Sequence, residues 1–234
     1  MKRMLAITLA LCMIAAASPI TAFAAGKMVS TQESFITLDE WGTESYVYAR
    51  VENTGDMPAE YSSGLFEVYD TNGDTLASTD YLKVHGSVLQ PGEYAYVEAD
   101  VTIDEPHSSA DVDDYMLTVT ARNGSESQTL RFACEAEWAP DYPVNSYWTG
   151  NYMIATFTNT TDDVLYDVSF AFALLDDQNN ILYVENESLY DTLGIAAGST
   201  VLVRVEVSDS ILEFYENKGV TPTHVDAYAY VEVG

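Results

Sequence analysis

Apolar and polar residues alternate with a period of two along much of the chain. Single polar or aromatic residues separate Val47, Ala49 and Val51, and Val97 and Val101 belong to a second run of the same kind. Such alternation is typical of β-strands with one buried face. Turn signals recur about every 8–12 residues, which indicates a β-sandwich and an all-β fold class. In the first half, strands are predicted near 45–53, 64–70, 75–82, 93–102, 114–121 and 128–137.

The two halves of the chain are copies of one module. Residues 46–101 recur at a constant offset of 106 residues without a gap, so that Asn53 recurs as Asn159 and Phe66 as Phe172. The repeat predicts two tandem β-sandwich domains, with one short helix at 208–217 in the second copy only. Prolines interrupt the segment between the copies, and proline cannot donate to a strand ladder. The predicted segments are a signal peptide at 1–24, a first domain at 25–138, a linker at 139–144 and a second domain at 145–234.

The amino terminus has the pattern of a secretory signal. Lys2 and Arg3 precede an apolar run, and Ala22-Phe23-Ala24 fits the cleavage site. The formal net charge of the whole chain is −28, and this excess of carboxylates disfavours nucleic acid and anionic membranes as partners. After cleavage one cysteine remains, so an intramolecular disulfide is excluded. The sequence therefore predicts a secreted protein without a membrane span.

One motif resembles a known family. Residues Phe66–Asp70 read Phe-Glu-Val-Tyr-Asp, which is similar to the FxLYD-type domain of secreted Gram-positive proteins, with Val68 in place of leucine. Val51–Gly55 and Leu89–Glu93 also match that pattern, whereas Phe172–Asp176 keeps the Phe, Leu and Asp but lacks the Tyr. The resemblance covers most of both copies. It implies immunoglobulin-like sandwiches outside the cell of a Gram-positive bacterium, and it names no reaction or ligand.

The acidic turn after this motif is the candidate cation site. Asp70, Asn72 and Asp74 have the spacing of the first three ligands of a calcium loop. The sixth and twelfth positions, Thr75 and Tyr81, are not the Gly and Glu that such a loop requires. The pattern therefore favours a tight hairpin turn over a calcium site, and no cofactor is expected; calcium at these three residues is the alternative.

Tyrosines supply the candidate binding surface. In the strand register above, Tyr46, Tyr48, Tyr94 and Tyr96 all point away from the first core. A tyrosine offers a flat face for stacking and a hydroxyl for hydrogen bonds, which suits the recognition of a protein or a sugar. The other reading is that tyrosine occupies these strand positions because of its β-propensity.

These observations predict a non-catalytic module that binds or adheres to an extracellular protein or glycan. No catalytic motif is present in the sequence, so an enzyme is not expected. Any attachment to the cell surface is expected to occur through a partner. The alternative function is a structural or assembly protein. In that reading the second domain lacks a final strand and self-associates through the open edge of its C-terminal strand.

Overall fold

The computed structural model describes residues 25–39, 42–124, 128–190 and 194–233. The predicted signal peptide, residues 1–24, lies outside the described residues. Strands make up most of the described chain, so the predicted all-β sandwich class is confirmed. The short helix predicted at 208–217 is present at Asp209–Asn217, where Ile211 and Tyr215 face the core.

The elements are numbered along the chain. The strands are β1 (Met28–Asp39), β2 (Thr43–Asn53), β3 (Ala59–Asp70), β4 (Thr75–Thr79), β5 (Lys83–His85), β6 (Val88–Leu89), β7 (Tyr94–Ile103), β8 (Val112–Asn123), β9 (Gln128–Ala133), β10 (Glu135–Asn145), β11 (Trp148–Thr158), β12 (Ser169–Leu175), β13 (Ile181–Ser188), β14 (Thr200–Glu206) and β15 (His224–Val233). The α-helix is α1 (Asp209–Asn217), and Ser109–Asp111 form one turn of 3-10 helix.

The first half consists of two antiparallel sheets around one core. One sheet has the strand order β1-β2-β7-β5, and the other is centred on β3, which pairs with β4, β6 and β8. Val47, Val97 and Phe66 are fully buried between the sheets. The alternation in the sequence therefore identified the inward face of these strands correctly.

The second half repeats this plan. Its sheets have the orders β10-β11-β14 and β13-β12-β15-β9, and Phe157, Phe170 and Phe172 pack between them. All seven residues of β12 are buried, because one face of its sheet covers this core and the other covers the first half. Tyr48 and Tyr96 of the first half belong to the same buried cluster. The two halves therefore share an extensive interface.

A buried asparagine shows that the two copies share their turn structure. Asn53 and Asn159 are both 0 % exposed. A buried amide without partners would cost about 1–3 kcal/mol, so each must be satisfied internally. Each side-chain amide donates to two backbone carbonyls at equivalent positions: Met57 (2.8 Å) and Leu89 (2.9 Å) for Asn53, and Asp163 (2.8 Å) and Ile195 (2.8 Å) for Asn159. The asparagine thus ties two turns to a strand end in both halves.

The predicted boundary between the halves is wrong. The strand predicted at 128–137 is interrupted at Cys134, and both of its parts pair with the second half: β9 with β15, and β10 with β11. The predicted linker, 139–144, lies inside β10. This strand is at a sheet edge, and its pairing shifts register between Ala139 and Tyr142, so Pro140 is accommodated in a bulge.

The predicted open edge of the second half is also wrong. β15 is an internal strand that lies between β12 and β9. Its pairing with β9 runs from Tyr228 opposite Ala133 to Val233 opposite Gln128. A strand from earlier in the chain therefore occupies the edge that the sequence pattern left empty, and self-association through that edge is no longer supported.

Candidate functional site

The four predicted binding tyrosines lie at the interface between the halves. Tyr46, Tyr48, Tyr94 and Tyr96 do point away from the first core, as the alternation predicts, but the second half covers them. Tyr48 is 1 % and Tyr96 2 % exposed, and the other two are half-buried. The expectation of a solvent-facing tyrosine surface is therefore wrong, because a second sheet packs on this face.

At one end of the interface, two of these tyrosines are fixed by an aspartate of the second half. The hydroxyls of Tyr94 and Tyr96 donate to the same Asp226 Oδ2 atom, at 2.6 and 2.7 Å. The Arg131 guanidinium lies 3.5 Å from the ring centre of Tyr228 and 4.5 Å from that of Tyr94. Charge-assisted hydrogen bonds and cation–π contacts of this kind stabilise a packed interface. This end has a structural role in joining the halves.

The predicted cation site is a self-capped hairpin turn. The Asp70 carboxylate accepts from the backbone N–H groups of Asn72 (2.8 Å) and Asp74 (2.9 Å) and from the Asn72 side chain (3.0 Å). The backbone hydrogen bond from Asp74 and the side-chain bond from Asn72 lower the pKa of Asp70. Gly73 supplies the positive φ of 83° that the turn requires. Calcium binding at this turn stays a prediction.

The other end of the interface opens into a cleft of about 310 Å³, here called the interface cleft. Both halves contribute to its walls, since β1, β2, β5 and β7 meet β13 and the start of α1 there. Clefts between packed units are common positions for ligand sites. The lining residues are Leu38, Gly42, Glu44, Tyr46, Tyr48, Lys83, Glu98, Ala99, Asp100, Tyr183, Glu185, Ser208, Ser210 and Ile211.

A buried glutamate is the central charged group of the cleft. Glu98 is only 8 % exposed, and its Oε1 atom accepts from Lys83 Nζ at 3.2 Å. His85 Nε2 lies 3.7 Å from the same oxygen, which is beyond hydrogen-bonding distance. Strand pairing explains the arrangement: Lys83 is opposite Glu98 and His85 is opposite Tyr96, so these side chains project from one face of the sheet.

The surroundings shift the pKa values of both buried groups. Burial, together with the negative charge of Glu185, raises the pKa of Glu98 to about 7, although Lys83 acts in the opposite direction. Burial, and then the positive charge of Lys83, lower the pKa of His85 to about 3. His85 is therefore neutral at pH 7, and its contact with Glu98 is not an ion pair. Glu98 exchanges its proton near neutral pH.

Tyrosines form the aromatic wall of the cleft and hold two further carboxylates. The ring of Tyr48 meets that of Tyr183 edge-on, with ring centres 5.3 Å apart. The rings of Tyr46 and Tyr48 are stacked, with their centres 6.3 Å apart. The Tyr46 hydroxyl donates to Glu44, and the Tyr183 hydroxyl donates to Glu185 at 2.8 Å. Burial raises the pKa of Tyr48, with Tyr183 contributing further, so this phenol stays neutral. The hydrogen bonds from Tyr46 and Tyr183 hold the carboxylates of Glu44 and Glu185 in place.

The sequence pattern missed the charged part of this site. Glu98 follows Tyr94 and Tyr96 on the same face of β7, and Lys83 and His85 alternate in β5. A charged residue that shares one face of a strand with two alternating aromatic residues could have indicated a half-buried polar site. Glu185 belongs to the other half, and no local pattern predicts its approach to Glu98.

No family model matches the chain, and no curated protein sequence matches it. A crystal structure of red sea bream transglutaminase is similar over 76 % of this chain and 27 % of that chain, at 14 % identity and a TM-score of 0.21. A structure of infectious bursal disease virus Gt strain is similar over 93 % of this chain and 69 % of that chain, at 10 % identity and a TM-score of 0.19. Similarity at this level carries no inference about function.

Within 25–39, 42–124, 128–190 and 194–233, no group of three or more His, Cys, Asp or Glu side chains is placed to hold a metal ion. No helix in that part of the chain is long and apolar enough to cross a bilayer.

Proposed function

We propose that the chain is a secreted, non-catalytic binding module of FxLYD type that recognises an extracellular protein or glycan, with the interface cleft as its binding site. One observation carries this proposal: both halves line a cleft in which a buried carboxyl group faces aromatic walls. Pockets with aromatic walls and a few convergent polar groups are typical of ligand sites.

Preorganisation of the polar groups supports binding at the cleft. The Tyr183 hydroxyl holds Glu185, and Lys83 holds Glu98, so these charged groups are already oriented without a ligand. Oriented groups lose little conformational entropy on binding, which favours affinity. The raised pKa of Glu98 is a further mark of a functional site, since strongly shifted pKa values concentrate at such sites.

The protonation state of the Cys134 thiol supports a non-catalytic role. Cys134 is half-buried, and burial raises its pKa to about 11, so the thiol stays protonated at neutral pH. A thiol is a nucleophile only as the thiolate. Cys134 also lies beside Arg131 and Asp226, at the end of the interface away from the interface cleft.

An extracellular location is supported by the signal-like amino terminus and by the strongly acidic composition, which keeps a secreted protein soluble. Recognition of a partner rather than of a membrane surface also agrees with this charge, because anionic lipids would repel it.

The test compares residues 25–234 with a variant whose cleft is blocked. Ser210 lies at the cleft on the first turn of α1, so Ser210→Trp should fill the opening; Glu213→Trp, exposed on the same helix, is the matched control. Both proteins, and the wild type, are screened against glycan and extracellular-protein arrays. We expect binding that Ser210→Trp abolishes and Glu213→Trp preserves. Binding that survives Ser210→Trp, or no binding by any of the three, would contradict the proposal.

A further inference from the structure

We infer that the interface cleft binds an alkyl-ammonium group, the charged end of a lysine side chain on a partner protein; this inference rests on the proposed function. It follows from the charge of the lining, from the balance of hydrogen-bond donors and acceptors, and from the absence of a hydrogen bond between Glu98 and the buried His85 beside it.

The charge of the lining is strongly negative. Four carboxylates face one ammonium group, that of Lys83. With all of them ionised, the excess is three negative charges within a cleft of about 310 Å³. Low-dielectric walls strengthen the attraction of such a site for a cation. The four carboxylates are those of Glu44, Glu98, Asp100 and Glu185.

The hydrogen-bonding capacity of the lining is mostly that of acceptors. A carboxylate only accepts, and each has two oxygens with several lone pairs. The hydroxyls of Tyr46 and Tyr183 already donate to Glu44 and Glu185, and those of Ser208 and Ser210 share a hydrogen bond with each other. A sugar hydroxyl both donates and accepts, whereas an ammonium group only donates. The lining therefore suits an ammonium group better than a sugar.

Lys83 shows how the cleft accommodates such a group. Its Nζ atom lies 3.2 Å from Glu98 Oε1, and its side chain is 43 % exposed. The chain thus already places one ammonium group against one of the four carboxylates, while the other three form no ion pair among the described residues. Tyr48 and Tyr183 offer aromatic surface, and Leu38 and Ile211 offer aliphatic surface, for the methylene stem of a lysine.

His85 supplies an independent observation. It is 3 % exposed, and its Nε2 atom has no hydrogen-bond partner among the described residues. This nitrogen lies 3.7 Å from Glu98 Oε1, and the imidazole is neutral at pH 7 because burial lowers its pKa to about 3. His85 is not among the residues that line the cleft, and it gives Glu98 no hydrogen bond. Among the described residues, Glu98 therefore accepts from Lys83 and keeps acceptor capacity for a donor bound in the cleft.

The test is binding of Nα-acetyl-lysine-N-methylamide to residues 25–234 at pH 8, followed by calorimetry and by amide chemical shifts. The norleucine analogue has the same stem without the charge. We expect the lysine probe to bind at least tenfold more tightly than the norleucine probe. We also expect Glu185→Gln to weaken lysine binding about tenfold and Glu135→Gln, an exposed control on β10, to leave it unchanged. Equal affinity for the two probes, or unchanged binding by Glu185→Gln, would overturn the inference.

Two further arms separate the possible failures. If 1,4-diaminobutane binds at least tenfold more tightly than the lysine probe, the ammonium chemistry stands and the assignment to a partner protein is overturned. If the arrays give glycan binding that Ser210→Trp abolishes while the lysine probe does not bind, the ligand class is wrong and the proposed function stands. If neither arrays nor probes give binding that depends on the cleft, both proposals fail.

Discussion

Replacement of Glu98 by glutamine should remove a large pH-dependent contribution to stability. Glutamine has nearly the same shape as protonated glutamic acid and carries no charge at any pH. The difference in unfolding free energy between the wild type and Glu98→Gln therefore reports the titration of this carboxyl group together with its coupling to Glu185 and Lys83, because acidic groups far from it contribute equally to both proteins.

The sign and size of this difference in unfolding free energy follow from the pKa of Glu98 in the folded and unfolded states. The folded pKa is raised from 4.5 to about 7, mainly by burial and by Glu185. The folded state therefore binds the proton more tightly than the unfolded state does. The stabilisation is fully present below pH 4.5 and is lost as pH rises through 7. A shift of this size corresponds to about 3 kcal/mol. Glu98→Gln should thus resemble the wild type at pH 4 and exceed its stability by about 3 kcal/mol at pH 8.

The assay is urea denaturation at intervals from pH 4 to 8, with the carboxyl carbon of Glu98 titrated by NMR in parallel. Besides burial, the charges of Glu185, Lys83 and Asp100 act on the pKa of Glu98. The charge of Glu98 in turn raises the pKa of the neighbouring Tyr48. Glu135→Gln is the control, and its difference from the wild type should change little. If the wild type instead gained stability over Glu98→Gln as pH rose, the Lys83 ion pair would outweigh burial and the argument would be refuted.

Three other predictions concern the fold. Phe66→Ala should lower the unfolding free energy by about 3–5 kcal/mol, since the ring is 0 % exposed; a loss below about 1 kcal/mol in urea would contradict its place in the core. Residues 128–234 should unfold cooperatively by circular dichroism, whereas residues 145–234, which lack β9 and β10, should not; cooperative unfolding of the shorter piece would favour the boundary drawn from sequence. Cys134 should react with a disulfide reagent at pH 8 at least about tenfold more slowly than a free thiol, because burial raises its pKa to about 11, and reaction at the full rate would contradict that burial.

Local features of the fold were predictable because they depend on neighbours along the chain. Alternation placed Val47 and Val97 on the buried face, and the Asn-Gly pair after Asp70 marked a hairpin turn that the structure contains. The offset of 106 residues also relates Asn53 to Asn159, and their side chains make equivalent hydrogen bonds in the two halves. Periodicity and turn chemistry need no information on distant contacts.

Features that depend on distant pairing were not predictable in this way. The pattern of β9 suits any sheet edge, and only the tertiary structure shows that its partner is β15 rather than β8. The strand β1 was not anticipated, although it pairs along the whole length of β2. The approach of Glu185 to Glu98 likewise depends on how the halves pack. Alternation separates the two faces of a strand, but it does not say what covers the outer one.

A comparison of equivalent positions shows why the cleft exists once rather than twice. Tyr96 in the first copy corresponds to Leu202 in the second, and Glu98 corresponds to Arg204. Tyr96 is 2 % exposed beneath the second half, whereas Leu202 is 60 % exposed. Arg204 turns back over its own sheet, with its guanidinium 5.0 Å from the ring centre of Tyr152. The second copy thus covers part of its outer face with its own side chains, while the first copy relies on its neighbour.

The cleft is consequently a property of the tandem arrangement and not of the module. Glu98 acquires its raised pKa because the second half buries it and brings Glu185 close. An isolated first copy would return Glu98 to water, and an isolated second copy has an arginine in its place. A site made in this way depends on the packing of the halves, so any ligand that binds both walls must also stabilise that packing.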